Sequence, residues 1–167
     1  MDNYEDITYE GYGVGGVAVI VETLTDNRNR TAGDLRHYFD KCGGNMGQPG
    51  SVMFMFSRRG YIAIDAEGLD EDKVMEDALN SGADDFNADD GIFEIITDPN
   101  SVGTVREALE QAGYTEFLTC QPEYYPATFT EIDDEEAMKK MQKLLDMLEE
   151  NDDVQNVWHN LENLPEE

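Results

Sequence analysis

Val17-Ala18-Val19-Ile20-Val21-Glu22-Thr23-Leu24 opens with five apolar positions and is rich in β-branched residues, which predicts a buried strand. Before it, Tyr4 to Glu10 sets Tyr4, Asp6 and Thr8 on one side and Glu5, Ile7 and Tyr9 on the other, a less apolar strand. Between the two lies GYGVGG, Gly11 to Gly16, which satisfies G-x-G-x-x-G. A dinucleotide loop must open a helix, because the pyrophosphate rests on the free N–H groups of the helix's first turn. A strand follows here instead, so the pattern predicts a hairpin or bulged turn, with glycine supplying positive φ.

Thr31-Ala32-Gly33-Asp34 then marks a helix start with Thr31 as its N-cap; Leu35, Tyr38 and Phe39 share one face, and Gly43-Gly44 stops the helix. Ser51 to Phe56 is apolar on both sides and reads as a covered strand with Phe54 and Phe56 in a core. The middle of the chain reads as strand 61–65, helix 70–80, strands 83–88 and 92–97 joined at Asp89-Asp90-Gly91, helix 102–112 and strand 115–120. That order is βαββαβ, the ferredoxin-like plan. A weak internal echo agrees with it: Val74, Leu79, Gly82 and Phe86 recur as Val105, Leu109, Gly113 and Phe117.

Removing residues 59–126 leaves β(17–24), α(31–42), β(51–57), β(128–132), α(134–149) and β(154–159), a second βαββαβ with an extra N-terminal strand. The predicted class is α+β, with two ferredoxin-like domains. Residues 1–58 plus 127–167 form a discontinuous outer domain, and 59–126 are inserted in its central hairpin. A hairpin tip suits an insertion because its two ends lie close together.

Composition narrows the function classes. Net charge is -27 over 167 residues, and 59–126 carries 17 acidic against 3 basic residues, whereas 1–58 carries 8 against 5. Such a surface repels nucleic-acid phosphates at long range, so any contact with them must be local or supplied by another segment. Cys42 and Cys120 are far apart and lack zinc-site spacing, which predicts reduced thiols in a cytosolic-type compartment. Neither a signal peptide nor a membrane-spanning apolar run is read.

Candidate chemistry is sparse. His37 and His159 are the only imidazoles, and His37 sits beside Tyr38 and Phe39 as a solvated or core-edge residue. Serines form neither an elbow nor a triad, the carboxylates of Asp84 to Asp90 do not match a calcium loop, and no catalytic, metal or cofactor site is assigned. Phe54 and Phe56 lack the pattern of an RNA-recognition sheet.

The sharpest feature is the junction Thr25-Asp26-Asn27-Arg28-Asn29-Arg30-Thr31, with Arg36 and Lys41 farther down the helix. Four of the eleven basic residues fall within this short span, beside helix N–H groups that suit phosphate. Arg28, Arg30, Thr31, Arg36 and Lys41 are therefore the candidate nucleic-acid contacts. The opposing reading pairs Arg28 and Arg30 with carboxylates such as Asp26 and Asp34, and composition does not separate the two.

YEGYGVGGVAVIVETLTDNRNRT, CGGNMGQPGSVMFMF and DDVQNVWHN, in that order, closely resemble the YebC family, and the resemblance covers essentially the whole chain. It implies two α+β domains, one inserted in the other, and a cytoplasmic, non-enzymatic regulator of gene expression, or a mitochondrial-matrix one in eukaryotic relatives. DNA or ribosomal RNA on the ribosome is the implied partner, and an additional basic helical N-terminal domain the implied helper. Arg28, Arg30 and Thr31 occupy the family's NRNRT motif, and Gly43, Gly44 and Asn45 its GGN motif. A basic protein docking on the acidic insert is the alternative partner; no membrane is implied.

Overall fold

The computed structural model describes residues 3–165. The chain divides into two compact units, Met1–Ser57 with Pro126–Glu167 and Arg58–Tyr125.

In the first unit, β1 (Glu5–Tyr12) and β2 (Ala18–Thr25) form an antiparallel hairpin, with Glu5 opposite Thr25 and Tyr12 opposite Ala18. GYGVGG is its turn, a single 3-10 turn at Val14–Gly16 in which Gly15 and Gly16 take φ of 75° and 80°. Gly11 serves close approach instead: a Cβ there would lie 2.9 Å from both the Asn45 carbonyl and the Phe39 ring.

Helix α1 spans Arg28–Lys41, β3 is only Asn45–Met46, α4 spans Glu135–Glu150 and β8 spans Val154–His159. The sheet order is β3-β1-β2-β8. Val17, Val19 and Val21 pack with Leu35 and Phe39 of α1 and Met141, Leu144 and Leu148 of α4 into one core. Burial of that amphipathic stripe, more than intrinsic propensity, holds the helices.

Two expected strands are absent. Residues 51–55 form a turn and a 3-10 segment, because the buried Glu10 carboxylate accepts the N–H groups of Gly50 (2.7 Å), Val52 (3.0 Å) and Met53 (2.7 Å). Those N–H groups are lost to a ladder, and Phe54, expected in a core, stands 76% exposed. Residues 128–132 make one isolated bridge, Thr130 to Leu161. Strand β1 thus holds the place beside β2 that the βαββαβ plan would give to its third strand.

The second unit follows that plan. Strand β4 (Phe56–Asp65), α2 (Glu71–Asn80), β5 (Asp85–Asp89), β6 (Ile92–Thr97), α3 (Val102–Gln111) and β7 (Phe117–Pro126) give the sheet order β5-β6-β4-β7. The β5–β6 turn is Asp90-Gly91, both at positive φ, 44° and 79°. Ile62, Ile64, Phe93 and Ile95 pack against Val74, Ala78, Val105 and Leu109. Asp77 ties α2 down, accepting from Tyr114 Oη (2.6 Å) and Lys73 Nζ (3.0 Å).

Candidate nucleic-acid interface

Helix α1 begins three residues earlier than its apolar pattern suggests. Asn27, not Thr31, is the N-cap: its Oδ1 accepts the Arg30 N–H at 3.1 Å. Thr31 falls inside the helix and is fully buried. Its hydroxyl proton has three acceptors within reach, Asp153 Oδ2 (2.8 Å), Thr25 Oγ1 (2.7 Å) and the Asn27 carbonyl (3.2 Å), and Thr25 also hydrogen-bonds the Asp153 carboxylate.

Arg30 belongs to the same knot. One of its terminal nitrogens donates to both Asp153 oxygens (3.1 and 2.9 Å) and to Asp26 (3.1 Å). Burial alone would raise the Asp153 carboxyl, but the Thr31 and Arg30 hydrogen bonds outweigh it and hold it below its usual range. Asp153 and Asp26 in turn push the Arg30 guanidinium up. Arg30 and Thr31 are therefore committed to the fold.

Arg28 and Arg36 stand differently. With Ala32 they recur every fourth residue along one flank of α1 and face the Ile7–Tyr9 stretch of β1. The resulting groove, about 310 Å³, is floored by Ile7, Tyr9 and Met46 and closed at one end by the turn carrying Gln48 and Pro49. Among the described residues Arg28 makes one loose ion pair, Nε to Glu5 Oε1 at 3.7 Å, with both side chains about half exposed or more. Such a pair contributes little and dissolves easily. Arg36 is exposed, and among the described residues no ion pair holds it. Burial pushes the Tyr9 hydroxyl up while Arg28 and Arg36 pull it down, which places both guanidinia within electrostatic reach of the groove floor.

Lys41 is on the other flank of α1. It and Lys140 and Lys143 of α4 are within electrostatic reach of the buried Cys42, whose thiol is pushed up by burial and pulled back by the three ammonium groups. The structure thus divides the five sequence candidates into a committed pair, Arg30 and Thr31, an available pair, Arg28 and Arg36, and Lys41 in a lysine cluster that only the fold assembles. Lys140 and Lys143 carried no signal beyond their helical phase.

Burial lowers the His159 pKa, and its Nδ1 accepts the Leu161 N–H at 3.1 Å; His37 is exposed on α1. Among the described residues no three His, Cys, Asp or Glu side chains gather as a metal site, and no helix is long and apolar enough to cross a membrane.

The model of the TACO1/YebC second and third domain matches residues 4–161. The chain belongs to the TACO1/YebC family. A probable transcriptional regulatory protein of Caldicellulosiruptor bescii is 59% identical over 160 residues, covering 95% of this chain and 65% of that protein. One of Finegoldia magna is 58% identical, covering 96% of this chain and 66% of that protein. A crystal structure of a conserved hypothetical protein from Aquifex aeolicus superposes with a TM-score of 0.86 at 42% identity, over 100% of this chain and 68% of that one. The chain therefore spans about two thirds of the length of these relatives.

Proposed function

We propose that the chain is the two-domain part of a non-enzymatic YebC-type regulator of gene expression, and that Arg28 and Arg36 contact nucleic acid, either DNA or ribosomal RNA. The relatives' names, probable transcriptional regulatory protein, support the regulatory role. The observation that carries the contact is the pair of uncommitted arginines lining one groove of a chain whose net charge is -27. Phosphate recognition needs cations that are not already spent on carboxylates. Arg28 and Arg36 meet that condition, and Arg30 does not.

Gel shift with DNA and co-sedimentation with ribosomes, each at about 50 and 200 mM salt, test it. Binding that weakens with salt and falls on Arg28→Ala/Arg36→Ala supports the reading. Binding that ignores that double substitution contradicts it.

A second reading assigns a basic protein to the inserted unit. Asp84, Asp85, Asp89 and Asp90 are exposed on and beside the edge strand β5 of a unit with few cations. Asp85→Lys/Asp89→Lys should abolish capture of such a partner while leaving nucleic-acid binding intact; unchanged capture removes the reading.

A further inference from the structure

We infer that the β1–α1 groove takes a single-stranded nucleic-acid segment, one unstacked base resting on the Ile7–Tyr9 floor and the flanking phosphates on Arg28 and Arg36. This rests on the nucleic-acid reading above and narrows it.

The floor is the first reason. Ile7, Tyr9 and Met46 give the groove an apolar base between two arginines. A duplex keeps its base faces stacked inside and offers a protein only phosphates, sugars and groove edges. An aromatic floor between cations gains from a ligand whose base face is free and whose backbone is charged, and that is a single strand.

The second reason is the surrounding charge. Glu5 and Asp6 at the start of β1, Asp26 before α1 and Asp40 near its end are all exposed. A duplex lays two lines of phosphate over a broad surface and would meet these carboxylates; a single strand following the groove meets the two arginines first. Eight residues of helix separate Arg28 from Arg36 by about 12 Å along the axis, room for more than one phosphate step.

An acidic extended peptide is the competing occupant, since the outer edge of β1 is open beyond the Gly11 and Tyr12 pairings with β3. Only Asp6 and Thr8 are left to offer outward backbone groups there, because Glu10 already accepts the Gly47 N–H. So short an edge gives a peptide little ladder to build on.

Fluorescence anisotropy with this chain tests the inference, using oligo(U), oligo(dT), an RNA hairpin duplex, a DNA duplex and an oligoglutamate peptide as probes. Oligo(U) and oligo(dT) should bind within about threefold of each other, because the contacts named are to base and phosphate, and both duplexes at least tenfold more weakly. Two phosphate contacts on a single strand predict a slope of log affinity on log salt of about -1.4, so affinity falls about sevenfold between about 50 and 200 mM. Arg28→Ala/Arg36→Ala should bring that slope near zero. Tyr9→Leu, which keeps apolar volume on the floor, should weaken binding at least fivefold with an unchanged melting temperature.

Duplexes that bind as tightly as the oligonucleotides and are lost with the two arginines overturn the single-strand inference and leave the nucleic-acid reading standing. Oligo(U) binding tenfold tighter or weaker than oligo(dT) overturns the base-and-phosphate contact set. Oligoglutamate binding tighter than either oligonucleotide, or no nucleic acid binding at any salt, overturns inference and reading together.

Discussion

Arg28 and Arg30 are two residues apart on the first turn of the same helix, yet they live in different chemistry. Arg30 closes a knot with Asp153, Asp26 and Thr31, whereas Arg28 opens with Arg36 onto a groove, and among the described residues its one ion pair is the loose one to Glu5 at 3.7 Å. The difference comes from one carboxylate 123 residues away in sequence from Arg30, which turns an apparently uniform basic motif into one structural arginine and one available arginine. A basic cluster read from sequence is a count of cations; a binding site is the subset that the fold leaves unspent.

Asp153 is where the difference between the two arginines is easiest to remove. Asp153→Ala leaves the buried Thr31 hydroxyl and the Arg30 guanidinium without their shared acceptor, and should cost about 2–3 kcal/mol in chemical denaturation. A loss under about 0.5 kcal/mol would mean that the knot holds nothing. Next in size, Arg28→Ala/Arg36→Ala should weaken oligonucleotide binding at least tenfold while leaving stability within about 0.5 kcal/mol, as expected of exposed side chains without firm partners.

The pH profile separates the two regions again. The folded Asp153 carboxyl sits below its ordinary value of 3.8, so its contribution is complete above that value and is lost as pH falls through the lower folded one. Asp153→Asn should therefore flatten the acid limb of stability below about pH 4. The double arginine substitution should leave that limb unchanged in a series of urea midpoints. Smallest of all, Arg30→Ala should lower the melting temperature by less than Asp153→Ala does and change oligonucleotide affinity by less than about twofold; a tenfold loss of affinity would move Arg30 to the contact surface.

Where local pattern and tertiary demand agree, the sequence is legible. The Val17–Val21 strand, the glycine hairpin, the three later helices and the βαββαβ order of the inserted unit all follow from periodicity and turn residues. Legibility ends where a distant side chain intervenes. Glu10 takes three N–H groups about 40 residues ahead and converts an apolar run into a loop that leaves Phe54 exposed. Asn27 caps α1 one turn before Thr31, the cap that local pattern predicts, and Thr31 instead hydrogen-bonds Asp153 from inside the helix. The basic span is visible in the sequence, but the sorting of its cations depends on α4 and on the turn before β8, neither of which is adjacent in sequence. Lys41 shows the same limit: with Lys140 and Lys143 of α4 it acts on the Cys42 thiol, on the flank of α1 away from Arg28 and Arg36.

Arg28 and Arg36, rather than Arg30 and Thr31, are the proposed nucleic-acid contacts of this chain. The direct measurement is oligo(U) affinity at about 50 mM salt for the unaltered chain, Arg28→Ala/Arg36→Ala and Arg30→Ala, each confirmed folded by thermal melting. The expected result is a loss of at least tenfold for the double variant and less than about twofold for Arg30→Ala. The reverse order, with Arg30→Ala the damaging change and the double variant binding as before, would contradict it.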